Sequence, residues 1–230
     1  MQTRALLVET LARYSHSFAP IVPFNLQGDN IWRIDLTAKN ATLHQIDLTD
    51  TEAFSQYIFG EMHRKNCIAA VGGYNENRFL YHRSRHFDGA EEARTVHLGI
   101  DIWAEAGTPV SAPLPATVHS FANNNNFGDY GYTIILQHET DDCRFFTLYG
   151  HLSANSFEGL HEEKPIAQGE TFAWFGAPHE NGCWPPHLHF QLITDMLGKK
   201  GDFPGVCAKS QREYYLNICP NPAILLGLSD

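Results

Sequence analysis

Four histidines and one aspartate between residues 97 and 189 have the types and spacing of a metal-dependent catalytic site. They occur in three short segments, which are HLGID at 97–101, YGHLS at 149–153 and HLHF at 187–190. Imidazole nitrogen and carboxylate oxygen are ligands that zinc accepts, and a catalytic zinc site keeps three protein ligands and one open position. His97, Asp101 and one histidine of the HLHF segment would meet this requirement.

The HLHF segment continues as HLHFQL, which is apolar and typical of a β-strand. Successive side chains of a strand point to opposite faces, so His187 and His189 share one face, about 6.6 Å apart along the strand. Both histidines can therefore reach the same site.

The HLGID segment cannot be a straight strand if both of its ends reach one ion. Four residues of extended chain span about 13 Å, which is too far for two short side chains to bridge. Gly99 tolerates the dihedral angles of a bulge or kink, so we expect a break in the strand at this residue. A helical turn would also bring positions 97 and 101 together, but Gly99 and the β-branched Ile100 and Ile102 disfavour it.

The elements that must position these side chains are mainly β-strands. From Val96 onwards, alternating runs such as YTIILQHE are rich in branched and aromatic residues and are separated by Gly, Pro and Asn clusters. This pattern predicts an antiparallel all-β domain. Segments 106–121 and 163–176 are loosely similar to each other, which suggests an internal duplication. The Asn run at 123–126 is typical of a turn-rich loop.

The flanking regions have a different texture. The first 20 residues predict a short helix, NIWRIDL an extended segment and DLTDTEAFSQYIFGEM a second helix. The polar stretch 72–94 predicts a long connection. The tail contains several prolines and predicts irregular structure that ends in an apolar strap. We therefore expect an α+β extension at 1–94, a β domain at 95–195 and an irregular strap at 196–230.

The composition restricts the function classes. A net charge of −10 disfavours a nucleic-acid partner. No apolar stretch approaches the roughly 20 residues that span a bilayer, and the amino terminus does not have the pattern of a secretory signal. We therefore expect a cytoplasmic protein, with secretion by a route that the sequence does not reveal left open. The five cysteines are widely spaced and form no C-x-x-C pair, so we expect reduced thiols.

The three motifs, in this order, resemble those of the LytM/lysostaphin-type zinc metallopeptidases over about residues 95–195. The resemblance implies the antiparallel β-sheet or sandwich fold called the duplicated hybrid motif. It also implies that His97, Asp101 and His189 bind zinc, while His151 and His187 stand beside the metal as catalytic residues. His187 would then be the general base and His151 would stabilise the oxyanion, although the division of roles between them stays open.

The stretches DYGYTIILQH, NGCWPPHLHFQL and DFPGV further resemble a module that some proteins carry between a kinase-like and a class III aminotransferase-like domain. The resemblance as a whole implies a zinc metalloendopeptidase that cleaves peptidoglycan-like or glycine-rich peptides, with a peptide or muropeptide as its partner. Two alternatives remain, namely a zinc amidase acting on a small intracellular substrate and a non-catalytic binding module of the same fold.

Three aromatic residues beside the motifs, Trp103, Tyr149 and Trp184, could wall a substrate groove or pack in the core. Latent relatives of the resembled family suggest that Asn75 or Asn77 could act as a fourth, inhibitory ligand.

Two histidines upstream of the motifs, His82 and His86, could line the approach of an acidic substrate terminus or simply be solvated. The remaining histidines are expected to be ordinary hydrogen-bonded side chains.

Overall fold

The computed structural model describes residues 4–83, 92–140 and 142–228. Within these ranges the helices are α1 (Arg4–Tyr14), α2 (Thr51–Arg64) and α3 (Arg212–Ile218). The strands are β1 (Ile31–Ile34), β2 (Ala69–Gly72), β3 (Arg94–His97), β4 (Ile100–Trp103), β5 (Pro109–Ser111), β6 (Ala116–Asn124), β7 (Gly131–Glu139), β8 (Arg144–Leu152), β9 (Pro165–Ile166), β10 (Thr171–Trp174), β11 (His187–Ile193) and β12 (Val206–Ala208).

The largest sheet in the described residues is mixed and has eight strands, in the order β1-β2-β4-β11-β8-β7-β6-β9. The prediction of a mainly β fold is confirmed. The pairings among the strands β4 to β11 are antiparallel, as predicted for residues 95–195, and the parallel pair of β1 and β2 lies in the α+β extension. Parallel neighbours need a crossover connection, usually a helix, and α2 supplies it between these two strands.

The two segments that resemble each other in sequence pair with each other in the structure. Segment 106–121 contains β5 and the start of β6, and segment 163–176 contains β9 and β10. Strand β5 pairs with β10, and β6 pairs with β9. A two-fold relation between the segments exchanges these two pairings, so the arrangement agrees with the suggested duplication.

The extension before the motifs is built onto the sheet. Strand β2 pairs with β4, so β1 and β2 continue the sheet that holds HLGID. Helix α2 begins at the cap residue Asp50, whose carboxylate accepts hydrogen bonds from two backbone N–H groups of the first turn. Its buried residues Phe54, Ile58 and Met62 recur at every fourth position and form one apolar face. This face packs in a cluster with Trp103 of β4.

Two local predictions are corrected. The Asn run at 123–126 is not a loop throughout, because Asn123 and Asn124 lie in β6 and pair with β7. The tail is not irregular throughout either, since it contains β12, which pairs with β3, and the helix α3. Strand β12 is stabilised by its pairing with β3, which lies outside the tail, so the sequence of the tail alone does not predict it. The terminal apolar strap is present, with Leu225 and Leu226 buried in the main core.

None of the helices in the described ranges is long and apolar enough to cross a membrane, and the longest of them, α2, has 14 residues. The five cysteines are free thiols, and Cys143, Cys207 and Cys219 are buried.

Candidate metal centre

Two adjacent strands, β4 and β11, bring the motif residues together. Their antiparallel register places His189 opposite Asp101 and His187 opposite Trp103. Directly opposite residues point their side chains to the same face, and so do residues two apart on one strand. All four residues accordingly line one cavity, as the alternation of HLHFQL predicts.

The HLGID segment breaks at Leu98 and Gly99, where the sequence predicts a break. Strand β3 ends at His97 and pairs with β12, whereas β4 begins at Ile100 and pairs with β2 and β11. The physical reason differs from the expected one, because Gly99 does not have a positive φ. A Cβ atom at Gly99 would lie 2.7 Å from the ring of His189 and 2.7 Å from the carbonyl oxygen of Phe190. Glycine is needed here for close packing.

Three buried donor atoms meet in this place. His97 Nε2 lies 3.0 Å from His189 Nδ1 and 3.2 Å from Asp101 Oδ1, and His189 Nδ1 lies 3.0 Å from the same oxygen. All three side chains are at most 5% exposed. The three residues are thus close enough to hold a single metal ion.

The outer hydrogen bonds of the two rings fix their tautomers. His97 Nδ1 faces the carbonyl oxygen of Gly73 at 3.0 Å, so this nitrogen carries the hydrogen. His189 Nε2 faces Gln191 Oε1 at 2.9 Å. The orientation of that amide is set by its NH2 group, which donates to the carbonyl of Pro204 and to the sulfur of Cys219. Both rings therefore turn lone pairs inward.

With these tautomers, three acceptor atoms face one another without a hydrogen between them. Burial lowers the pKa of His97 to about 3, with the charge of Arg78 as the next cause, so this ring is neutral near pH 7. Tetrahedral zinc with bonds of about 2.0 to 2.2 Å has ligand-to-ligand distances of about 3.3 to 3.6 Å. The observed separations are close to these values, and outer N–H groups bonded to carbonyl oxygens are typical of metal-binding histidines. The donor set fits a zinc ion.

The carboxylate of Asp101 is charged in spite of its burial. Burial by itself would raise its pKa, but the charge of the neighbouring Arg78 guanidinium holds it well below its usual range. Oδ1 faces the two imidazoles, and Oδ2 accepts a hydrogen bond from the Arg78 guanidinium. One oxygen is therefore directed at the metal position and the other is held by a cation.

Arg78 itself comes from the extension that precedes the motifs. Its side chain is 1% exposed and also binds Glu76 through Nε at 2.8 Å and the hydroxyl of Tyr81 at 3.3 Å. The backbone of the same segment, through Gly73, binds His97. Two of the three inward-facing side chains thus depend on residues 73–81 for their orientation.

His151 and His187 form a second pair of rings beside these three residues. Their ring centroids lie 4.1 Å apart. His151 Nδ1 donates to the carbonyl oxygen of Asn181 and His187 Nδ1 to that of Pro185, both at 2.8 Å, so both rings have a bare Nε2. Burial lowers the pKa of His187 to about 4 and that of His151 well below its usual range. Both rings are neutral proton acceptors.

A cavity of about 250 Å³ is lined by Asp101 and His189 and by the two accessory histidines, His151 and His187. One part of its lining is apolar and includes Trp103 and Trp184. Charged residues line the rest, among them Arg94, Asp129, Lys199 and Asp202. The arrangement can hold a cation, move a proton and accommodate a substrate at one cavity.

The family model of Peptidase family M23 matches residues 95–201. The matched residues 95–201 are called the M23 segment. The matched segment contains all five motif residues. The match supports, in general terms, the interpretation that the protein is a hydrolase of the metallopeptidase type. No curated protein matches the chain.

Solved structures of M23 proteins are similar to part of the chain. One from Pseudomonas aeruginosa, described as an M23 peptidase, has 19% identity and a TM-score of 0.38, with 58% of this chain and 45% of that chain covered. A zinc-containing peptidase from Vibrio cholerae has 23% identity and a TM-score of 0.35, covering 43% and 27%. The catalytic domain of the antimicrobial peptidase lysostaphin from Staphylococcus simulans has 22% identity and a TM-score of 0.36, covering 53% and 80%. The match therefore spans less than half of the first two chains.

Other residues singled out in the sequence lie in several places. Asn75 accepts a hydrogen bond from Arg212 at 2.7 Å, and neither Asn75 nor Asn77 is among the residues that line the cavity. Tyr149 is fully buried in the main core, whereas Trp103 and Trp184 line the cavity.

The basic cluster that contains His82 and His86 gives no further information. His86 lies outside the described residues, and the side chain of His82 is not described either.

Sequence reasoning missed three residues of the candidate site. Gln191 could have been found, because the alternation that pairs His187 with His189 continues to it. Tyr130, whose hydroxyl lies 3.4 Å from His189 Nε2, and Arg78 stand in polar or Gly-rich segments without periodicity. Their positions follow from tertiary packing.

Substituting alanine for Gly99 tests the close approach at the strand break. We expect Gly99→Ala to lower the free energy of unfolding by about 1 to 3 kcal/mol, because the new methyl group must displace the His189 ring or the backbone of Phe190. Urea unfolding measures this loss. Gly60→Ala is the control, since a methyl group at this exposed position of α2 meets nothing within 4 Å and is expected to stabilise by about 1 kcal/mol. Equal stability of Gly99→Ala and wild type would contradict the packing argument.

Removing the Arg78 cation tests the charge balance at Asp101. With metal ions chelated, we expect Arg78→Met to lower the free energy of unfolding by about 3 to 5 kcal/mol, because it leaves a buried carboxylate uncompensated. The control is Arg13→Met, which breaks an ion pair to Asp142 whose side chains are 59% and 39% exposed. This variant is expected to change the stability by less than about 1 kcal/mol. Similar losses in both variants would refute a special role of Arg78.

Proposed function

We propose that the protein is a zinc-dependent peptidase that hydrolyses an amide bond of a peptide substrate. One observation carries the proposal, namely the three inward-facing acceptor atoms of His97, Asp101 and His189, which lie 3.0 to 3.2 Å apart without a hydrogen between them. Such a cluster is costly in a buried site unless a cation occupies its centre.

The residues that would hold the metal are His97 through Nε2, Asp101 through Oδ1 and His189 through Nδ1. Two nitrogens and one carboxylate oxygen are a donor set that zinc accepts in hydrolases, with a further position left for water. Zinc bound there supplies Lewis acidity, which activates water and polarises the carbonyl group of a substrate.

His187 has the features of the general base. Its ring lines the cavity, and its Nε2 is bare because Nδ1–H donates to the carbonyl oxygen of Pro185. We infer that Nε2 takes a proton from the attacking water and later delivers it to the leaving amine. Stacking on Trp103, with ring centroids 5.3 Å apart and an interplanar angle of 16°, holds the imidazole in place.

His151 would stabilise the oxyanion, but only after it gains a proton. Its one ring hydrogen is engaged by Asn181, so the Nε2 of the neutral ring has nothing to donate. With the rings of His151 and His187 only 4.1 Å apart, a proton on one disfavours a second on the other. The two histidines would therefore share the one proton that the attacking water releases, which stabilises the oxyanion while it is on His151 and passes to the leaving amine from His187.

Metal analysis tests the ligand set directly. We expect the purified protein to contain about one zinc ion per chain, and His97→Ala, Asp101→Ala and His189→Ala each to lose more than about 100-fold in zinc affinity, since loss of an outer partner alone costs 10- to 100-fold. Competition with a chromogenic chelator measures the affinity. His138→Ala is the matched control, because His138 is equally buried but bonds to Pro115 and Thr147 away from the site. Equal zinc content in wild type and His189→Ala would overturn the assignment.

Separate variants test the two accessory histidines. We expect His187→Ala and His151→Ala to retain zinc but to lower kcat by roughly 100- to 10,000-fold, because each removes a proton-transfer or charge-stabilising group. Hydrolysis is followed on glycine-rich peptides, on muropeptides and on peptides with apolar residues. Loss of zinc from either variant would make that histidine a ligand, and full activity would exclude it from catalysis.

A further inference from the structure

One side of the cavity is an apolar wall made of residues that belong to a single buried cluster. The members of this apolar wall are Phe54, Leu80, Tyr81, Trp103, Trp184 and Val206. Each is at most 6% exposed, so the wall is shielded from bulk solvent. Such a surface favours an apolar group over water.

The apolar wall lies directly beside the reacting groups. Trp103 stacks on His187, and the ring centroid of Trp184 lies 5.9 Å from that of His187 and 6.0 Å from that of His151. The ring of Tyr81 lies 6.4 Å from that of His97. A residue whose amide bond is attacked at this site would therefore place its side chain, or that of its neighbour, against the wall.

The cavity is large enough for a bulky side chain. Its volume is about 250 Å³. An apolar protein cavity of roughly 150 Å³ accommodates benzene. The space thus holds an aromatic or branched aliphatic side chain together with an adjoining peptide group, whereas a glycine residue would leave the wall without a partner.

Half of the apolar wall comes from the extension that precedes the segment matching family M23, and Val206 lies beyond the end of that segment at residue 201. Phe54 belongs to α2, and Leu80 and Tyr81 to the short helix Leu80–Arg83, whereas the matched segment begins at residue 95. The shape of this side of the cavity is consequently a property of this chain's extension.

We propose that the apolar wall is a specificity subsite that takes a bulky apolar side chain of the residue flanking the scissile bond, in preference to glycine. The part of the proposal that concerns the scissile bond rests on the proposed peptidase function. Binding of the side chain depends on the apolar wall alone.

Binding of small peptide amides tests the subsite without hydrolysis. We expect N-acetyl-phenylalaninamide and N-acetyl-leucinamide to bind the purified protein roughly 10- to 100-fold more tightly than N-acetyl-glycinamide, because their side chains leave water. Calorimetry or quenching of tryptophan fluorescence gives the dissociation constants, with chromatography to verify intact ligands. Equal affinity for all three amides would overturn the subsite.

The ratio of two ligand affinities does not depend on the folded fraction of the protein. A change in this ratio therefore tests the apolar wall itself. We expect Phe54→Ala to enlarge the space and to raise the affinity of N-acetyl-tryptophanamide relative to N-acetyl-leucinamide by roughly 5-fold or more. Phe54→Leu should shift this ratio in the same direction by less and keeps the fold if the alanine variant does not. Phe145→Ala is the matched control, because Phe145 is equally buried but lies in the main core. A ratio that changes equally in the control, or in neither variant, would refute the assignment.

Hydrolysis of matched peptides separates the subsite from the peptidase function. Faster cleavage beside phenylalanine or leucine than beside glycine supports both. Preferential binding of apolar amides without any cleavage supports the subsite and contradicts the proposed function. Cleavage that favours glycine supports the function and overturns the subsite.

Discussion

The charge of a single buried carboxylate, that of Asp101, is the constraint on which the site depends. A carboxylate taken out of water is unstable unless charges and hydrogen bonds compensate it. The Arg78 guanidinium is bound to this one, and the pKa of Asp101 lies well below its usual range as a result. Because Arg78 is present whether or not a metal is bound, the carboxylate stays oriented in the metal-free protein. The inward-facing acceptors would thereby be organised in advance of the proposed metal binding.

The backbone has to bring this carboxylate and both imidazoles together, and two local features allow it. The register of β4 and β11 places Asp101 opposite His189 without any loop. His97 comes from a different, two-stranded sheet. Only two residues, Leu98 and Gly99, connect it to β4. The absence of a side chain at Gly99 lets the His189 ring pack against this break. A larger residue would separate the atoms that must lie about 3 Å apart.

The sequence was sufficient for the parts of the site that repeat with a regular period and insufficient for the parts that arise from packing. The alternation of apolar and polar residues predicts β7 and the common face of His187 and His189. The same alternation places Gln191 on that face. The ligand set came from resemblance to a known motif combination. By contrast, Arg78 lies in a polar stretch without period, and its partner Asp101 is 23 positions away. The parallel pairing of β1 and β2 likewise depends on a helix crossing between them, which local propensity does not determine.

The extension and the M23 segment divide the work of the site between them. Every atom that would touch the metal or the reacting water comes from the M23 segment, through His97, Asp101 and the three histidines that follow. The extension supplies the charge that balances Asp101, the Gly73 carbonyl that orients His97 and half of the apolar wall. These contributions set the local dielectric, the orientation of the ligands and the shape of the cavity. Since β1 and β2 also continue the same sheet, a change in the extension reaches the metal centre through bonded strands and an ion pair, and the two regions act as one unit.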